Sequence, residues 1–166
     1  MSVLWSYFWP ALADGLVLGT LAGTIYFRRQ TRRRLALLLG LVAALALAAL
    51  WHGPMGAGER LAGIIDRNAK ATLVYYELPQ ISAQVHRGPL SRRVILSGKP
   101  DDFQRTELPR TMNTLPGVGS TRWAPAGGGI PLIVEAALAA LLGFLLGFGL
   151  AYLGELHRRH NAQWNW

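Results

Sequence analysis

A short run of arginines between two apolar segments restricts the folds open to this chain. Residues 27–34 read Phe-Arg-Arg-Gln-Thr-Arg-Arg-Arg, with apolar residues on both sides. A charged side chain at the centre of a bilayer costs roughly 2.5–3.5 kcal/mol, so this loop must lie at a membrane surface. Short arginine-rich loops stay on the cytoplasmic side, and the loop therefore predicts the direction of its neighbours. The predicted topology-determining residues are Arg28, Arg29, Arg32, Arg33, Arg34, Arg158 and Arg159.

Three apolar runs have the length and composition of membrane spans. They cover residues 11–27, 35–51 and 130–153, and Pro10 marks a position where the first helix could begin. The third run is about 24 residues long, or roughly 36 Å as a helix, which is enough to cross with some tilt. With both basic groups inside, the N-terminus is predicted outside and the C-terminus inside.

The composition fits a chain that is partly membrane-embedded and partly soluble. Of its 166 residues, 51% are hydrophobic, and the formal net charge is +8. That charge would suggest nucleic acid if it lay on a folded surface, but seven of the 17 basic residues flank apolar runs. We therefore expect no nucleic-acid partner. Because cysteine is absent, disulfides, thiolate metal sites and thiol catalysis are excluded.

Changes in composition divide the chain into four parts. Residues 1–53 are predicted to form two transmembrane helices joined by a cytoplasmic arginine-rich loop, and residues 54–123 an extramembrane α+β domain. Residues 124–129 read Ala-Pro-Ala-Gly-Gly-Gly, which is typical of a flexible linker. Residues 130–166 contain the third transmembrane helix and a basic cytoplasmic tail.

The middle part predicts the order helix, strand, strand, helix, strand. Alternating apolar residues at 81–85 and an apolar run at 93–96 indicate two strands around the turn Arg87-Gly88-Pro89. Asp101 and Asp102 are candidate caps for a second helix, in which Pro109 predicts a bend or an early end. Residues 120–123 are a brief third strand. The apolar helix positions are Leu61, Ile64, Ile65, Ala69, Leu73 and Tyr76, then Phe103, Leu108, Met112 and Leu115.

Residues 59–123 resemble the BON domain, a small module of mixed helices and strands from bacterial envelopes. The resemblance rests on Val-Ile-Leu-Ser-Gly at 94–98 and on Leu-Pro-Gly-Val at 115–118. Pro109, a long first hairpin and the final Ser-Thr-Arg-Trp strand depart from the family pattern. The resemblance implies a non-catalytic module that attaches to membrane surfaces or envelope proteins, here on the periplasmic side.

Small residues recur every fourth position in all three apolar runs. Such a row lets another backbone approach closely, and it leaves open whether the neighbour belongs to this chain or to a partner. The alternative is that alanine and glycine are simply common in membrane helices. The candidate packing residues are Gly15, Gly19, Gly23, Gly40, Ala44, Ala139, Gly143 and Gly147, with Ala11, Ala36, Ala48 and Ala151 in the same rows.

Asp14 and Glu135 are the acidic residues inside the apolar runs. Intramembrane carboxylates can mark an ion pathway. Each also follows a proline near the outer end of its run, where the helix dipole favours a carboxylate in the first turn. We interpret both as capping residues and keep a functional pair as the alternative.

The remaining candidates are weaker. His157 and His160 could share a helical face, but two histidines make an incomplete metal site, so we predict neither a metal nor a cofactor. No catalytic or nucleotide-binding motif is present. Predicted interfacial anchors are Trp5, Trp9, Trp51, Trp164 and Trp166.

These features predict a membrane α-helical protein with a small α+β domain. The expected function is that of a non-catalytic accessory or scaffold subunit in the bacterial inner membrane. It would pack on a membrane-protein partner or a second copy through its small-residue helix faces, and its periplasmic domain would contact an envelope protein or anionic lipid of the bilayer. The alternative is a small transport or ion-coupled component that uses Asp14 and Glu135.

Overall fold

A computed structural model describes residues 3–29 and 32–163 of the chain. Its element order is α1 (Val3–Arg28), α2 (Arg33–His52), α3 (Ala57–Tyr75), β1 (Ile81–Arg87), β2 (Leu90–Gly98), α4 (Asp102–Asn113), β3 (Ser120–Trp123) and α5 (Leu132–Gln163). The helix, strand, strand, helix, strand order predicted for the middle of the chain is confirmed.

Three of the helices, α1, α2 and α5, are long and apolar enough to cross a membrane. Helix α1 begins at Val3 and contains Pro10, so the prediction that the helix begins near Pro10 is wrong. Aromatic and apolar residues before the proline continue the helix, and Pro10 removes only one backbone donor from it. Helix α5 likewise continues beyond the apolar run into the basic tail.

The described residues form two compact units. The α+β unit contains the residues before Phe8 together with Met55–Glu135, and the helical unit contains Phe8–Pro54 together with the described residues from Ala136 onward. The predicted linker at 124–129 belongs to the α+β unit. Its first residue, Ala124, donates a backbone hydrogen bond to the carbonyl of Leu96 at 2.9 Å.

The α+β unit contains a three-stranded sheet in the order β1-β2-β3. Strands β1 and β2 are antiparallel, whereas β2 and β3 are parallel because α4 carries the chain back between them. Buried and exposed residues alternate along β1, as its sequence predicts. The core contains Leu61, Ile65, Ala69, Leu73, Ile81, Ala83, Val85, Val94, Leu96, Leu108 and Met112.

Two aromatic positions predicted for the apolar helix faces are exposed instead. Tyr76 lies just beyond the end of α3 and Phe103 lies in the first turn of α4, and their exposed fractions are 51% and 76%. Helical spacing predicts a buried face only for residues inside the helix, and only where another element packs against that face.

Helix α4 begins with the predicted cap. The Asp101 side chain accepts a hydrogen bond from the backbone N–H of Gln104, and the Gln104 side chain accepts one from the backbone of Asp101, which completes a capping box.

The helix continues through Pro109 to Asn113. A proline cannot donate to the carbonyl four residues earlier, that of Arg105. The indole N–H of Trp123 donates to this carbonyl at 2.9 Å and also fastens β3 to α4.

The turn at 115–118 requires its glycine. Gly117 is buried and has a φ of +95°, a conformation that side-chain-bearing residues rarely adopt. A Cβ atom added there would lie 3.0 Å from Cγ1 of Ile65 on α3. The turn therefore packs closely against the first helix of the unit.

Candidate functional site

The rows of small residues face one another inside the helical unit. A Cβ atom added at Gly15 or Gly19 of α1 would collide with the carbonyl oxygens of Ala140 and Phe144 on α5. In return, a Cβ atom at Gly143 would collide with the carbonyl of Leu12. The backbones of α1 and α5 therefore touch, in a contact that only glycine permits on both sides.

The order of these contacts gives the helix directions. Gly15 of α1 meets Ala140 of α5, whereas Gly23 meets Ala151, where its added Cβ would lie 2.7 Å from the alanine Cβ. Helices α1 and α5 therefore run parallel. Gly147 continues the same contact by facing the carbonyl of Leu16.

The row on α2 also faces this chain. A Cβ atom at Gly40 would lie 2.7 Å from Cβ of Ala22 on α1. Ala48 packs with Ala11 and Ala44 packs with Ala22, so α2 runs antiparallel to α1. Ala139 packs against the first of these clusters. A partner helix would therefore have to meet other surfaces, such as the exposed large apolar side chains of the three helices.

Both arginine groups lie at the same end of the helical unit. Arg28 is the last residue of α1 and Arg29 follows it, and Arg158 and Arg159 lie beyond the apolar part of the parallel helix α5. Arg32 occupies the N-cap position of α2 with a φ of +69°, and Arg33 and Arg34 open that helix. The five arginines of the loop are all exposed.

Two features at this end were not predicted. Glu155 is 6% exposed and pairs with Arg158 at 2.8 Å and with Arg159 at 3.0 Å, so it neutralises part of the charge of the tail. An aromatic cluster lies beside it on α1 and α5. Its members are Tyr26, Phe27, Phe148 and Tyr152, with the Arg33 guanidinium 5.9 Å from the centre of the Tyr26 ring.

The two acidic candidates have different surroundings. Asp14 lies well beyond the first turn of α1, because the helix begins at Val3, so its interpretation as a capping residue is wrong. Glu135 does lie in the first turn of α5. It also accepts a hydrogen bond from Nε of Arg92 at 2.7 Å, with side-chain exposures of 22% for the arginine and 18% for the glutamate. Sequence reasoning missed this ion pair because its partners are 43 residues apart.

Glu135 and Arg92 line a cavity of about 210 Å³ in the α+β unit. We call it the arginine cavity. Arg93, also on its wall, donates from Nε to the Ser120 hydroxyl at 3.1 Å and from Nη1 to the Gly127 carbonyl at 2.6 Å. The cavity is lined by residues 91–93, Gly119, Ser120, Gly129, Ile130 and Glu135.

Three exposed aromatic side chains and a neighbouring valine form a second feature of the α+β unit. We call Val74, Tyr75, Tyr76 and Phe103 the aromatic patch; the exposed fractions of Val74 and Tyr75 are 77% and 79%. The rings of Tyr75 and Tyr76 touch edge to face at 5.2 Å. A groove of about 590 Å³ includes Val74, and another of about 410 Å³ includes Tyr76 and Phe103, while Leu78 lines both.

A carboxylate of α3 covers the edge of β1 on the same unit. Asp66 accepts from the backbone N–H of Val85 at 2.7 Å and from Arg87 at 3.1 Å. Hydrogen bonds from Arg87 to Asp66 and Glu59 raise the pKa of the Arg87 guanidinium above its usual range. The edge strand therefore has one of its outward donors occupied.

The remaining candidates are placed as follows. Trp5 and Trp9 are 45% and 48% exposed, and Trp51 is half-buried. Trp164 and Trp166 lie outside the described residues. His157 contacts Asn161 at 3.0 Å, and no group of three potential ligands is arranged for a metal ion among residues 3–29 and 32–163.

No protein-family model, curated protein or solved structure matches the chain. The BON-like character of residues 59–123 therefore stays a prediction.

Proposed function

We propose that this chain is a non-catalytic accessory or scaffold subunit of the bacterial inner membrane. Its three apolar helices span the bilayer, with the N-terminus periplasmic and the C-terminus cytoplasmic. The α+β unit lies in the periplasm and binds an envelope protein through the aromatic patch. The small-residue faces hold the three helices of the chain together.

The helix directions support the proposed topology. A chain that crosses the bilayer through α1, returns through α2 and crosses again through α5 requires α1 and α5 to be parallel and α2 to be antiparallel to both. The contacts among the three helices have these directions. The arginines then share one side of the bilayer, in agreement with the preference of basic loops for the cytoplasm.

The aromatic patch is the observation that carries the binding role. Four large apolar side chains lie outside the core of the unit and are between 51% and 79% exposed. Contiguous exposed apolar groups mark interaction surfaces in folded domains, and tyrosine is enriched at the centres of protein interfaces. Two adjoining grooves offer room for side chains of a partner.

Labelling of single cysteines tests the topology, since the natural chain has none. Gln84→Cys places a thiol on the exposed side of β1, and Ala162→Cys places one on the exposed tail. A membrane-impermeant maleimide added to cells with a permeabilised outer membrane should modify the first variant only. Modification of Ala162→Cys with protection of Gln84→Cys would refute the topology.

Site-specific cross-linking tests the binding role in the intact membrane. A photoreactive amino acid in place of Tyr75 or Phe103 should yield the same adduct with one envelope protein. The same group in place of Lys99, an exposed residue outside the patch, serves as the control. Equal adducts from all three positions, or none from the patch, would exclude a docking role for it.

A further inference from the structure

The arginine cavity contains a positive charge that no carboxylate balances. Two guanidinium groups and one carboxylate line it, which leaves a formal charge of +1. Arg92 is paired with Glu135, whereas Arg93 donates hydrogen bonds to a hydroxyl and a carbonyl and has no ion pair within the described part of the chain. A half-buried guanidinium with neutral partners is a ready site for an anion.

A buried hydroxyl lies on the same wall. Ser91 is 3% exposed, and its Oγ has no hydrogen-bond partner among the residues that the structure describes. An unsatisfied buried polar group costs about 1–3 kcal/mol, so such a group calls for a ligand or another explanation. Ser91 and Arg93 are two residues apart on β2, and their side chains therefore leave the same face of the strand.

A glycine packs closely beside this hydroxyl. Gly129 has a φ of +125°, and a Cβ atom added there would lie 3.1 Å from Oγ of Ser91 and 3.6 Å from Nε of Arg93. A side chain at position 129 would therefore crowd both groups, and the positive φ also favours glycine. A water molecule has a volume of about 30 Å³, so the 210 Å³ cavity has room for a tetrahedral oxyanion.

We propose that the arginine cavity binds a phosphate group, with Arg93 as the cationic donor and Ser91 as the hydroxyl donor. Ile130 and Glu135 belong to the start of the third apolar segment, and Gly129 directly precedes it. If that segment spans the bilayer, as the proposed function requires, the cavity lies near the headgroups. The phosphate therefore has two sources, an anionic lipid headgroup and free phosphate.

The test uses the full-length protein in two arms. Inorganic phosphate is titrated calorimetrically into protein in a maltoside detergent. Separately, retention of phosphatidylglycerol against phosphatidylcholine from mixed nanodiscs is counted by native mass spectrometry. Each arm compares the wild type with Arg93→Gln, Ser91→Ala and the control Arg105→Gln, which removes an exposed arginine of α4. Hydrogen exchange of residues 90–98 verifies that each variant is folded.

Arg93→Gln should weaken binding about tenfold or more, since it removes a charge-assisted contact, and Ser91→Ala severalfold. Arg105→Gln should have no effect.

A response to phosphate identifies the free anion as a ligand, and selective retention of phosphatidylglycerol alone identifies the headgroup. Either result supports the proposal. If both variants match the control in both arms, the proposal is overturned. Loss in Arg93→Gln without loss in Ser91→Ala also overturns it, because general charge attraction would then suffice.

The detergent arm does not depend on membrane insertion. A failed topology experiment therefore leaves the phosphate measurement readable. A failed phosphate site, in turn, leaves the labelling result at Gln84→Cys unchanged.

Discussion

Single glycines decide whether α1 and α5 can touch. Their importance depends on what each faces and not on the residue type alone, since Gly147 meets the α1 backbone, whereas a Cβ atom added at Gly149 would meet nothing within 4 Å. Two glycines of the same helix thus provide a matched pair.

Gly147→Ala should destabilise the helical unit by about 1–3 kcal/mol, because the added methyl group forces two backbones apart. Gly149→Ala should be neutral or stabilising by up to about 1 kcal/mol, because alanine favours the helix. The measurement is unfolding of the detergent-solubilised protein by sodium dodecyl sulfate, followed by circular dichroism. Equal behaviour of the two variants would contradict the close contact.

The carboxylates of Glu135 and Asp14 provide a second comparison. Glu135 balances the half-buried Arg92, whereas Asp14 has no ion pair within residues 3–29 and 32–163. A broken, partly buried pair leaves one charge uncompensated, although its residual exposure reduces the cost.

Glu135→Gln should therefore lower the stability of the α+β unit by about 1–2 kcal/mol. Asp14→Asn should leave that unit unchanged. Hydrogen exchange along β2 in the full-length protein measures both effects. If Glu135→Gln leaves the exchange of β2 as it was, the ion pair does not contribute to the stability of the unit.

Helix α4 shows how an unfavourable residue is accommodated by a distant element. Pro109 leaves the Arg105 carbonyl without its helical donor, and Trp123 of β3 supplies one. The proline that predicted a bend or an early end instead coincides with a contact between helix and strand.

A double-mutant cycle isolates this contact. Trp123→Phe should destabilise α4 by about 1 kcal/mol in the natural background, because a carbonyl loses its partner. In a Pro109→Ala background the restored backbone N–H serves the same carbonyl, and Trp123→Phe should cost less. Hydrogen exchange of the peptide covering α4 gives the opening free energies. Strict additivity would show that the two residues do not share the carbonyl.

In the proposed topology, the positions of the basic residues determine the orientation of the protein in the membrane. The arginine loop is short, whereas the middle domain exceeds the loop length over which the distribution of basic residues controls insertion. Charge removed from the loop and charge removed from the domain should therefore have different effects.

Replacement of the five loop arginines with glutamine should lower the labelled fraction of Gln84→Cys, because part of the population then inserts in the opposite direction. The control removes as many charges from exposed positions of the α+β unit, namely Arg67, Lys70, Lys99, Arg105 and Arg110. It should leave labelling unchanged. An equal fall in both variants would indicate that the loop has no special role in topology.

Hydropathy, helical spacing and turn residues were sufficient to predict the order of the helices and strands, although α1 begins well before its predicted apolar run and α5 ends well beyond its own. These signals are local, because each reports how neighbouring side chains partition between an apolar and a polar environment. The small-residue rows were equally visible in the amino-acid order. Their neighbours were not, since a row of glycines is the same whether the facing helix belongs to this chain or to another.

Folding was needed to pair residues that are far apart in the chain. The Arg92–Glu135 ion pair, the Trp123–Arg105 hydrogen bond and the burial of the Ser91 hydroxyl each depend on elements that meet after the sheet has formed. No periodic pattern in the sequence predicts these long-range contacts, because they depend on sheet register and helix direction. For that reason, the cavity emerged from the packed structure, whereas the three long apolar helices were already predicted by the order of the residues.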